Sequence, residues 1–184
     1  NYCVLIDTEN ASKKIAEIFT EINKYGETPI RIAVGNFFDK SNGWKSICEE
    51  YAITPIQTVN FTKGKNSADI SLVVEGMDLL YSKQYLDGLI IVASDSDYTA
   101  LARRWRNEGK EVIGIGKKTT PTSLKSTCTT FINVEILLSD EEAIKEKSNN
   151  IENVKKDLKA QVKEMLETHD GIFPISGLVN GLMK

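Results

Sequence analysis

The chain has 184 residues, 41% hydrophobic and 27% charged, with a net charge of −3 and a pI near 5.4. That is enough for one well-filled domain and some extra length. It excludes a membrane span, because no apolar run approaches the roughly 20 residues needed, and it leaves no bulk positive footprint for nucleic acid.

Cys3, Cys48 and Cys128 are scattered without CxxC spacing, which argues for reduced thiols and against a disulfide frame or a zinc site. The single histidine, His169, falls after the main domain, so histidine bases, triads and His-ligated zinc are not expected there. The opening "NYCVLID" enters a strand with no basic leader, and the expected compartment is cytoplasmic.

In chain order, β-branched runs at 3–6, 30–35, 54–59, 89–93, 111–115 and 131–134 predict six strands. Helical patterns at 11–24, 43–51, 67–82, 97–108 and 122–127 alternate with them. In the first helix Ile15, Ile18, Phe19 and Ile22 recur at three- and four-residue steps. In the fourth, Leu101, Ala102 and Trp105 make the apolar face and Gly109 the stop. Strand–helix alternation is the signature of a mainly parallel α/β sheet. The domain is predicted over 1–138, followed by a charged linker or short helix over 139–153, where Ser139 and Glu142 fit a capping box. A partial helical module is predicted over 154–184.

Ligands of open α/β sheets bind outside the carboxyl ends of the strands. Asp7 closes the first predicted strand, Asp95 and Asp97 follow the fourth, and Asp69 sits in the first turn of the helix after the third. Parallel strands would bring all four to one edge, which Asp39 could also approach. Each alone has a plain reading: an aspartate at a strand-to-helix turn caps the helix or favours its first turn. Together they are harder to explain, since two bare carboxylates about 4 Å apart repel by about 4 kcal/mol at an effective dielectric near 20. Raised pKa values, basic partners or a divalent cation would relieve this. All-oxygen ligands point to Mg²⁺ or Mn²⁺. Such an ion activates water against a phosphodiester without a histidine. Asn10 would either cap the first helix or orient water or phosphate beside Asp7; Thr8 and Ser94 could add hydroxyl contacts.

Among nearby cations (Lys13, Lys63, Lys65, Arg103, Arg104, Lys117, Lys118), Lys65 and the Arg103–Arg104 pair are the candidate contacts to a nucleic-acid backbone. Phe37, Phe38 and Trp44 could stack on bases, with core packing expected of at least one. "GIGKKT" is not a phosphate loop, because Glu111 stands where the first glycine belongs. "DTEN" lacks the second aspartate of a DxD phosphatase nucleophile, Glu9 taking its place.

The blocks "LIDTEN", "NSADISLVVEGMDLL" and "LIIVASDSDYTALARRWRNEGKEVIGIG" resemble, in order and spacing, the signature blocks of the NYN domain, a PIN-like nuclease group that includes the bacterial LabA-like proteins. The resemblance implies a three-layer α/β/α sandwich of Rossmann-like topology and metal-dependent RNA cleavage. Asp7, Asp69, Asp95 and Asp97 match its acidic metal positions, and Asn10 its companion asparagine. Ser94 meets Asp95 directly where the family block usually has a glycine between them. The tail "LKAQVKEMLETHDGIFPISGLVNGLMK" resembles the opening of a LOTUS (OST-HTH) module.

The leading expectation is therefore a ribonuclease acting on single-stranded RNA with Mg²⁺ or Mn²⁺. The rival is a catalytically silent RNA-binding or protein-docking adaptor on the same fold. A homo-oligomer, and a protein partner taken through the C-terminal module, are further expectations.

Overall fold

The computed structural model describes residues 1–12, 14–39, 43–58 and 67–137. Six strands form its sheet: β1 (Tyr2–Asp7), β2 (Ile30–Gly35), β3 (Thr54–Gln57), β4 (Gly88–Val92), β5 (Glu111–Gly116) and β6 (Thr130–Asn133). Five α-helices alternate with them: α1 (Ile15–Ile22), α2 (Trp44–Glu50), α3 (Ser67–Ser82), α4 (Thr99–Asn107) and α5 (Thr122–Thr127). Every strand pair is parallel, and the order across the sheet is β3-β2-β1-β4-β5-β6.

The alternating pleat sorts side chains onto two faces. Cys3 and Leu5 of β1, with Leu89 and Ile91 of β4, pack under Leu72 and Leu79 of α3, Leu101 and Trp105 of α4, and Leu124 of α5. Val4, Ile6, Ile90, Val92, Ile113 and Ile115 face the other way, onto α1 and onto Trp44 and Cys48 of α2. β1 and β4 are buried at every position, as parallel strands covered on both faces must be. This is a three-layer, PIN-like sandwich.

Two predicted boundaries move, each for a local reason. The first helix was expected from 11 but starts at Ile15, because residues 8–11 form a turn in which the Asn10 and Ala11 N–H groups return to the Asp7 carbonyl. The fourth, expected from 97, opens with a 3₁₀ turn, Ser96–Tyr98, before α4. Asp95 caps that turn, its carboxylate accepting from the Asp97 N–H at 3.0 Å. The third strand stops at Gln57, short of the expected 59, which lies outside the described residues.

The strand order has a functional consequence. From β1 the chain runs outward to β2 and β3, then returns to lay β4 on the other flank of β1. The gap between the ends of β1 and β4 is thus the topological switch point, where loops diverge and leave a crevice. Asp7 ends one of these strands and Asp95 follows the other.

Candidate functional site

Asp7 continues the pleat of Cys3 and Leu5, so its side chain turns toward the α3–α4 layer. It is buried, 1% exposed, and its carboxylate is approached by three donors. The Glu9 N–H reaches Oδ1 at 2.9 Å, while the Asn10 amide and the Tyr98 hydroxyl reach Oδ2 at 2.7 and 3.0 Å. Asp69 meets it from the first turn of α3, and the same Tyr98 hydroxyl lies 2.6 Å from Asp69 Oδ1. One phenolic oxygen therefore touches two carboxylates brought from a strand end and a helix start.

Asp95 and Asp97 stand on the adjoining 3₁₀ turn, the first half-buried and the second exposed. Their charges are felt at Asp69, whose carboxyl is held above its ordinary value of 3.8. Burial is the main cause; the Tyr98 hydrogen bond opposes it, and Asp7, Asp95 and Asp97 add to the rise. Burial and the charges of Asp7 and Asp69 likewise raise Tyr98 well above the ordinary phenol range.

Glu9, which stands where a DxD phosphatase motif would have its second aspartate, joins this group. Its carboxyl is raised, first by partial burial and then by Asp7 and Asp69. Its signal was present in the sequence as a second acid two residues beyond a strand-ending one. Tyr98 was missed because an aromatic after "DSD" reads as core.

The remaining candidates divide. Asn10 acts on Asp7 itself, not as a helix cap. The Thr8 hydroxyl is given to the Val34 carbonyl at 3.1 Å, and Ser94 accepts the Lys117 N–H at 3.0 Å, so both hydroxyls tie loops together. Trp44 is core, with its indole N–H on the Thr8 carbonyl, and Phe37 packs partly against the core. Phe38 projects, 78% exposed, beside an exposed Asp39.

Arg103 is exposed on α4. Arg104 is occupied by the Tyr81 hydroxyl and Glu108. Tyr81 lies twelve residues along α3 from Asp69, about 18 Å down the helix axis, so Arg104 sits remote from the carboxylates. Lys13, Lys63, Lys65 and the C-terminal segments at 139–153 and 154–184 lie outside the described residues.

No three His, Cys, Asp or Glu side chains close into a ready-made cage among the described residues. Mg²⁺ does not require one. It keeps several waters and is commonly held by one or two carboxylates together with substrate phosphate. Two converging carboxylates, with further acids at the rim and no nitrogen or sulfur donor, fit that ion and its manganese analogue.

Residues 1–138 match the NYN domain. The chain belongs to the NYN family. A search of the curated proteins gives no match. The NYN domain is a PIN-like ribonuclease family, so RNA is the implied partner and divalent metal the usual requirement. Among the described residues no helix is long and apolar enough to cross a membrane.

The raised Asp69 carboxyl carries a prediction for the NYN domain. Because the folded state holds this proton more tightly than the unfolded chain does, its contribution to stability is complete below pH 3.8 and is lost as pH climbs through the raised value. Asp69→Asn abolishes that loss and keeps an oxygen for Tyr98. In EDTA at neutral pH the variant should melt higher than the native chain. The difference should shrink on acidification, and Mg²⁺ should stabilise the native chain alone. A variant melting lower than the native chain at neutral pH would contradict this electrostatic account.

Proposed function

We propose that the chain is a metal-dependent ribonuclease that hydrolyses phosphodiester bonds of single-stranded RNA by direct attack of water. The observation that carries this reading is the meeting of Asp7 and Asp69 on one buried hydroxyl at the β1–β4 switch point, in a chain of this family. Asp7, Asp69, Asp95 and Asp97 hold one or two Mg²⁺ or Mn²⁺ ions. The ion supplies acidified water and charge neutralisation at the leaving oxygen. Asp7 is kept in one rotamer by Asn10 and the Glu9 N–H, so it offers a fixed ligand. Asp95 and Asp97, nearer the rim, meet the cation where the RNA phosphate arrives. Lys65 and Arg103 bind the RNA backbone, with Arg104 reached only by a longer strand.

The test is cleavage of an end-labelled single-stranded RNA with Mn²⁺, with Mg²⁺ and with EDTA, native chain beside Asp95→Asn. Cutting that needs metal and is lost in the variant supports the reading. RNA bound without cutting in any condition transfers the domain to the adaptor class. Metal-dependent cutting undiminished in the variant removes Asp95 from the site.

A further inference from the structure

We propose that Tyr98 is a positioning residue for the cation, its hydroxyl fixing the spacing and direction of Asp7 and Asp69 so that an ion seats on their solvent side. This deepens the nuclease reading above and rests on it.

The 3₁₀ turn that presents Asp95 and Asp97 outward drives the next side chain inward. Tyr98 is fully buried, in the same core cluster as Leu72, Leu101, Ala102 and Trp105. A phenyl ring would fill that space equally well. What the hydroxyl adds is contact with two acids, at 2.6 Å to Asp69 and 3.0 Å to Asp7. Exposure then increases in steps: Tyr98 enclosed, Asp7 nearly so, Asp69 and Asp95 half-buried, Asp97 exposed. The hydroxyl is therefore the floor of the site, with Asp7 just above it and Asp69, Asp95 and Asp97 progressively nearer water.

A second observation also points to an ion. A phenol has one proton, and two carboxyl groups face it. The phenol can donate along only one of the two contacts, so the other leaves two acceptor oxygens facing each other unless a further proton or a cation intervenes. A cation bound across the outer faces offsets the converging charge while leaving the hydroxyl in place. Asp7 has the Glu9 N–H and the Asn10 amide to orient it as well, whereas Tyr98 is the side-chain partner of Asp69 among the described residues. Loss of the hydroxyl should thus be felt chiefly through Asp69.

The test is direct Mn²⁺ binding to the full chain without RNA, by calorimetry or by the electron-spin-resonance signal of free Mn²⁺, for the native chain and Tyr98→Phe. Circular dichroism verifies that the variant is folded. Binding should weaken roughly 10- to 100-fold, the range for loss of a partner that orients a metal ligand. Raising Mn²⁺ should then bring RNA cleavage back, so the defect lies in the metal constant and not in the saturated rate. Native binding with an unchanged or tighter variant overturns the positioning role alone. A cleavage rate still depressed at saturating Mn²⁺ also overturns it, since the hydroxyl would then belong to the chemical step. A native chain that binds no Mn²⁺ sinks the nuclease reading, and this inference with it.

Discussion

Asp7→Asn is expected to lower metal-dependent RNA cleavage by about a thousandfold or more, roughly 4 kcal/mol of barrier, while the metal-free protein melts no lower than the native chain. The two halves of this outcome have one cause. Asp7 lies almost wholly out of water and shares the Tyr98 hydroxyl with a second acid. Asparagine keeps the shape and one acceptor oxygen for the Glu9 N–H. Its amide can donate to the Tyr98 oxygen, leaving the phenolic proton for Asp69, so two crowded acceptors become a chain of satisfied donors. The Asn10 amide, which now donates to Asp7, can turn its own oxygen instead. What disappears is the fixed negative charge that a cation needs. Cleavage assays and thermal melts on the same preparation check the pair. Retained cleavage would remove Asp7 from the site; a large fall in melting temperature would mean that Asp7 is structural.

The second large effect concerns stability. Trp105→Ala should cost about 3–5 kcal/mol, the range for deleting a buried indole, against a total that for proteins of this size is of order 5–15 kcal/mol. Trp105 is fully buried on α4, and its indole N–H donates to the Gly76 carbonyl of α3 at 3.0 Å. It thus fastens together the two helices that carry Asp69 and follow Asp95 and Asp97. Gly76 permits the approach: a β-carbon there would stand 2.8 Å from the Leu101 methyls and 3.0 Å from Leu5. At roughly 2–4 °C per kcal/mol, the alanine variant should melt about 6–20 °C lower. Trp105→Phe keeps most of the bulk and should lose less than half as much. Equal losses in the two variants would place the effect in the hydrogen bond and not in the cavity.

The sheet was legible in the sequence because its signal is short-range. β2, α3 and α5 fall on their predicted limits, since β-branched runs and three-to-four-residue apolar steps report burial directly. That Asp7, Asp95 and Asp69 reach one edge also followed, given parallel strands and the rule for strand ends. Hidden were the contacts that turn an edge into a site. Nothing local in "DSDY" says that the tyrosine folds back beneath two acids from distant segments. Nor does "DTEN" reveal that its glutamate shares their field. Asn10 was half read: its place beside Asp7 was foreseen, but not that it grips the carboxylate instead of capping α1. The late start of α1 has the same origin, because the turn that serves Asp7 consumes the residues a helix would have used.

The strand order also governs how the chain comes into being. β1 is made first yet ends in the middle of the sheet, flanked by β2 and, far later, by β4, where Tyr2 pairs with Gly88. At translation speeds of about 5–20 residues per second, that second flank arrives several seconds after the first. Pairings so distant in sequence are slow to form. Until then β1 has an open apolar side, a natural client for a chaperone. A nascent chain stopped before β4 would carry Asp7 and Asp69 without Tyr98, Asp95 and Asp97, and on the nuclease reading proposed above it should leave RNA uncut.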